Sequence, residues 1–88
     1  MLLEVCANAY ESARNAEKAG AHRIELCSEL SLGGVTPSHG LIAQVKEHLT
    51  IETFILIRPR SGRFRYTTYE FETMKRDVKF CKSMGCSG

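Results

Sequence analysis

Hydrophobic residues fall along the chain in two alternating rhythms. Leu2 to Ala7 is a short apolar stretch, and the dozen residues after it, rich in Ala, Glu, Lys and Arg, end at Gly20, a residue suited to the position just past a helix. That pattern predicts a strand followed by a helix. Arg23 to Ser28 repeats the strand signal, Ser31 to Ser38 forms a Gly-rich, Pro-containing loop, and Leu41, Ile42, Val45 and Leu49 recur at helical spacing. Thr53 to Ile57 is β-branched and aromatic, the polar segment from Arg58 to Thr68 reads as a loop, and Phe71, Met74, Val78 and Cys81 make a third helical stripe before Gly85. Thr36 before Pro37 is expected to start the second helix, with Pro at its first helical position.

Alternating strands and helices of this length imply βαβ units and a parallel sheet, either doubly wound or closed into a barrel. The first βα turn, Cys6-Ala7-Asn8-Ala9, lacks the GxGxxG spacing that brings a pyrophosphate to a helix N-terminus, which argues against a dinucleotide-binding sheet. Leu3-Glu4-Val5-Cys6-Ala7 is echoed 21 residues later by Ile24-Glu25-Leu26-Cys27-Ser28, and such equivalence suggests a rotational repeat. The expected class is α/β, namely the N-terminal portion, about three βα units, of a (β/α)₈ TIM barrel with parallel strands. A complete barrel takes about 250 residues. Residues 1–88 are therefore expected to form a single incomplete domain whose first and third strands leave free edges, and such a chain is expected to be unstable alone or to associate as a homo-oligomer.

Composition adds little to this picture. A formal charge of +2 and 43% hydrophobic residues describe an ordinary globular domain, and charge that small does not single out a polyanionic partner. Glu4 interrupts the opening Met1-Leu2-Leu3, leaving neither a secretory apolar core nor a run long enough for a bilayer, so a cytoplasmic protein with no membrane association is expected. The cysteines Cys6, Cys27, Cys81 and Cys86 lack CxxC spacing, and reduced thiols are expected.

The repeat also carries the candidate chemistry. Side chains alternate across a strand, so if Leu3, Val5, Ile24 and Leu26 face the helices, Glu4, Cys6, Glu25 and Cys27 face the opposite side. The cysteines then lie nearer the C-terminal strand ends, where barrel sites are built. Leu56 and Arg58 share a face of the third strand, and Arg58 is a candidate counter-charge for Glu25. Arg58 and Arg60 are also candidates to bind a small anionic ligand, with Glu4 or Glu25 moving protons, which makes a barrel enzyme the alternative function. The interleaved Arg58, Arg60, Arg63, Arg65, Phe64 and Tyr66 do not match an RNA-binding spacing, and nucleic acid is not an expected partner. Cys81 reads as packing, and the spacing of Cys81 and Cys86 does not recommend them as a site; His22, His39 and His48 read as surface residues.

The segments LEVCA, GAHRIELCS, LGGVTPSHG and FILIRPRSGRF, in that order, resemble successive N-terminal motifs of the CutC family over nearly the whole chain. The resemblance implies a (β/α)₈ barrel, a cytosolic location, frequent oligomers and a role in copper homeostasis. It implies that Cys6 and Cys27 form a candidate Cu(I) site, in keeping with the preference of soft thiolates for that ion, and that Glu4, Glu25, Arg58 and Arg60 lie at the barrel mouth. Three positions depart from the pattern: His22 stands where the family usually has Asp, Ser61 replaces Gly, and Arg63 replaces an acidic residue.

Overall fold

The computed structural model describes residues 2–88. Three strands, β1 (Glu4–Ala7), β2 (Arg23–Leu26) and β3 (Glu52–Ile55), pair in parallel in the order β1-β2-β3. Helices α1 (Tyr10–Lys18), α2 (His39–His48) and α3 (Thr68–Ser83) follow the strands in turn. The result is an open parallel sheet of three β/α units.

Alternation decides which side of the sheet is covered. Ala7, Ile24, Leu26, Thr53 and Ile55 are buried in one core with Ala13 and Ala16 of α1 and Ile42 and Val45 of α2. Glu4 and Cys6 are exposed on the opposite side, and Arg23, Glu25 and Phe54 are half-buried there. The buried Thr53 is satisfied locally, its hydroxyl donating to the Ile51 carbonyl at 2.9 Å.

Helix ends and loops are fixed by side chains. At α1, Ser12 accepts from Ala9 N–H at 3.1 Å and donates to the Ala9 carbonyl at 2.9 Å. The start of α2 corrects the expectation for Thr36 and Pro37: the N-cap is Ser38, whose hydroxyl accepts from Leu41 N–H at 3.1 Å. Thr36 instead ties two loops together, its hydroxyl accepting from Arg58 N–H at 2.6 Å and its N–H donating to the Arg58 carbonyl at 2.8 Å. Thr67 and Glu70 form a reciprocal capping box at α3. Glu17 of α1 accepts from the N–H groups of Thr50 and Ile51 at 2.8 and 2.9 Å, which anchors the turn into β3. His22 also holds a strand in place, because its Nδ1 accepts from Leu3 N–H at 2.8 Å.

The third unit is the least covered. Of its expected apolar stripe only Cys81 is buried, while Phe71 and Val78 are about half exposed. The free edge expected at β3 is corrected by the structure, where that edge is partly covered. Ser87 N–H donates to the Thr53 carbonyl and Ile55 N–H donates to the Gly88 carbonyl, both at 2.8 Å, so the tail runs along that edge as a further strand would.

Candidate functional site

The open face of the sheet is organised in rows by the strand register. In the first row Glu4 lies opposite Arg23, and their side chains form an ion pair at 2.7 Å. Arg23 also sits over the Phe54 ring, 4.9 Å from its centroid. Arg23 therefore supplies the counter-charge on this face, a role the sequence pattern suggested for Arg58. In the next row Cys6 lies opposite Glu25, and Glu25 opposite Phe54.

Cys27 follows directly after β2, with its N–H donating to the Ala7 carbonyl at 3.0 Å. It stands two residues beyond Glu25, so Cys6 and Cys27 are diagonal neighbours on adjacent strands. Strand spacing and rise place such backbone positions about 8 Å apart, a span two inclined side chains can largely close. Burial pushes the Cys27 thiol above its ordinary pKa, with Cys6 and Glu25 nearby adding to the effect. Cys27 is only 1% exposed, whereas Cys6 is open to solvent.

A loop covers Cys27, and Arg58 holds that loop. Ser28 and Val35 form an antiparallel bridge, and between them a short 3₁₀ turn (Leu30–Leu32) leads to Gly33 and Gly34 at φ of 86° and 87°. A Cβ on Gly34 would meet Leu56 Cδ2 at 2.7 Å and lie 3.9 Å from Cys27 Sγ, so only glycine lets the backbone pass this close. The N–H groups of Gly33 and Gly34 donate to the carbonyls of Leu30 and Glu29, which removes them as anion donors. The Arg58 guanidinium donates to the carbonyls of Leu32, Gly34 and Gly62 at 3.2, 3.0 and 3.0 Å, and Phe64 lies over it at 4.7 Å.

The two arginines thus serve the loops that surround the strand ends. Among the described residues Arg58 has no carboxylate partner, so the expected pairing with Glu25 is not formed. Arg60 is engaged by both carboxylate oxygens of Glu70 and by the carbonyls of Ser61, Arg63 and Arg65. The carboxyl of Glu70 is held below its ordinary pKa first by the Thr67 N–H and then by Arg60. An anion at Arg60 would have to displace these bonds, whereas Arg58 keeps its Nε–H without a partner among the described residues but buried away from solvent.

Among the described residues no three His, Cys, Asp or Glu side chains converge closely enough to hold a metal ion. The thiol donors nearest to each other on the open face are soft, which suits a low-coordinate Cu(I) ion rather than a hard cation. Sequence spacing also left aside Cys81 and Cys86, which the structure brings together at the end of α3. The C-terminal helix cap, more than the spacing of the cysteines, is the signal that locates them.

The fold and this face define a class: consecutive β/α units in one parallel sheet, with thiol and ionic groups on the side away from the helices. The CutC family model matches residues 1–88, and the chain belongs to the CutC family. It is 52% identical over 87 residues to a copper homeostasis protein cutC homolog of Homo sapiens, covering 99% of this chain and 32% of that protein. It is 44% identical over 87 residues to a family protein CutC of Chromobacterium violaceum, covering 99% of this chain and 35% of the relative. A solved CutC structure from Streptococcus agalactiae is similar at a TM-score of 0.89 and 33% identity, over all of this chain and 44% of that one. The chain spans about a third of the length of the curated relatives it matches. No helix among the described residues is long and apolar enough to cross a membrane.

Proposed function

We propose that this chain supplies the first three units of a (β/α)₈ barrel that acts in copper homeostasis, and that Cys6 and Cys27 hold Cu(I) at the C-terminal ends of β1 and β2. The observation that carries the reading is the placement of a buried thiol, Cys27, beside a solvent-open one, Cys6, on the face away from the helices. Cu(I) would enter from the Cys6 side, and both sulfurs would bind as thiolates, with their protons released to solvent. Arg58 would act indirectly, by holding the loop over Cys27.

The stagger of the strands supports the barrel. Glu4 and Glu25 are equivalent in the repeat, 21 residues apart, yet the ladder partner of Glu4 is Arg23, 19 residues away. The second strand is shifted by two residues relative to its repeat. A shear of eight over eight strands is met by such two-residue shifts at alternate strands. The same shift makes the two cysteines diagonal rather than opposite. The exposed Leu2 and Leu3 at the start of β1 give an apolar surface that favours association with a second copy.

The test is an anaerobic titration with Cu(I) against a chromophoric chelator, comparing the parent with Cys6→Ser/Cys27→Ser. Loss of one equivalent in the variant supports the site. Parent-like stoichiometry and affinity in the variant would remove Cys6 and Cys27 from copper binding.

A further inference from the structure

Helices α1 and α3 end in the same way. Beyond α1, Gly20 at φ 88° donates to the Glu17 carbonyl at 3.1 Å, and Ala21 N–H donates to the Ala16 carbonyl at 3.0 Å. Beyond α3, Gly85 at φ 78° donates to the Lys82 carbonyl and Cys86 N–H donates to the Cys81 carbonyl, both at 3.1 Å. This pair of bonds is the Schellman motif, which brings the side chain two residues past the cap against the one three residues before it. In α1 the contact joins Ala16 and Ala21. In α3 it joins Cys81 and Cys86, so packing at this turn asks for no more than a methyl group, and the third unit places two sulfurs there.

We propose that Cys81 and Cys86 form a second dithiol site, which takes a soft monovalent ion, Cu(I), independently of Cys6 and Cys27. Both cysteines line a groove of about 280 Å³ with Ile55, Ile57, Val78 and Lys82. Cys81 is buried and Cys86 half-buried, so an ion between them has one dry side and one route of entry. The turn is already fixed by its two backbone bonds, which leaves little to order on binding.

The charge balance is explicit. Burial first, then the neighbouring Cys86, pushes the Cys81 thiol up to about 11; burial also raises Cys86, while Lys46 pulls the other way. Both groups therefore hold their protons at neutral pH. Binding converts two thiols and Cu(I) into a bis-thiolate complex of charge −1 and releases two protons. No electron is transferred. Lys46 and Lys82 face the complex with positive charge, offsetting the partial negative end of the helix.

The two pairs of thiols cannot share an ion. Cys27 lies on the open face level with Leu56, whereas Cys81 belongs to the core beneath the helices, and Cys86 precedes the tail that pairs with Thr53. The two pairs therefore lie on opposite sides of the sheet, with its backbone between them.

Anaerobic Cu(I) titration of the 88-residue chain, with proton release and circular dichroism recorded together, tests the proposal. Cys81→Ala/Cys86→Ala reproduces the alanine pair of α1 and is expected to keep the parent's dichroism while losing one equivalent and about two protons per ion lost. Unchanged stoichiometry and proton release in this variant would overturn the second site and leave the strand-end reading standing. Parent-like binding by Cys6→Ser/Cys27→Ser would sink that reading and spare this one. A mixed variant, Cys27→Ser/Cys81→Ala, breaks both pairs but keeps two thiols, and is expected to bind no ion at the same chelator concentration. If it binds as well as either pair variant, the copper is held by loose thiols and the proposal fails.

Discussion

Arg58→Lys measures how far one side chain holds the loops around Cys27. The guanidinium bonds three carbonyls from two loops, and the Gly34 bond is buried. A lysine ammonium keeps the charge but, as a point donor on a thinner stem, reaches one of these carbonyls in place of three. Two charge-assisted bonds are lost, each worth about 1.5–3 kcal/mol at full burial and less where solvent reaches the loop, for a net cost of about 2–4 kcal/mol. An unfolding entropy near 2.1 cal/mol/K per residue gives about 0.18 kcal/mol/K for 88 residues, so the midpoint should fall by about 11–22 °C. Thermal melts followed by circular dichroism read this directly. The loop should loosen locally as well. In a background with Cys6, Cys81 and Cys86 replaced, Cys27 should react with a thiol reagent at least about tenfold faster in the lysine variant, a factor that corresponds to about 1.4 kcal/mol of local opening. A midpoint within about 3 °C of the parent, with unchanged Cys27 reactivity, would refute the view that Arg58 holds the loop.

Glycine substitutions separate backbone strain from collision. Gly34→Ala combines a positive φ with a clash against Leu56 and should cost about 2–4 kcal/mol in urea denaturation, whereas Gly20→Ala, at a similar φ but with open space around it, should cost about 1 kcal/mol. Glu17→Gln keeps an acceptor for Thr50 and Ile51 but not its charge, and should cost about 1 kcal/mol against about 2–3 for Glu17→Ala; equal costs would show that the bonds to the turn add nothing. Cys81 gives a pH signature. Burial pushes the folded thiol up to about 11, above its ordinary value of 9.0, so the fold favours the protonated form. Stability from this group is complete below pH 9 and is lost between about pH 9 and 11, by about 1–3 kcal/mol. Cys81→Ala should flatten that part of the stability curve, and identical curves for parent and variant would contradict the assignment.

Much of the fold is legible because each strand alternates cleanly. Ile24 and Leu26 point to the helices and Arg23 and Glu25 do not, so the covered side follows from the pattern alone. Three β/α units whose helices return to the next strand by short turns then specify a parallel sheet in sequential order. Register is different. The repeat aligns Glu4 with Glu25, whereas the sheet aligns Glu4 with Arg23, because neighbouring strands slide as well as rotate. The ion pair of the open face, and the diagonal relation of Cys6 to Cys27, depend on that slide.

The arginines show a second limit of sequence reading, since charge identifies a possible anion site only when the donors are free. Arg58 and Arg60 lie in loops with many carbonyls, and loop carbonyls that no ladder satisfies occupy guanidinium donors that an incoming anion would need. Cys81 and Cys86 illustrate the converse. A separation of five residues carries no ligand geometry in a continuous helix, where the facing neighbours are three and four apart. It acquires one when Gly85 reverses the chain and the cap bonds fold Cys86 back onto Cys81. The glycine that marks the end of a helix therefore also sets which side chains meet there, and the alanine pair at the matching turn of α1 is the internal standard against which the two sulfurs are to be judged.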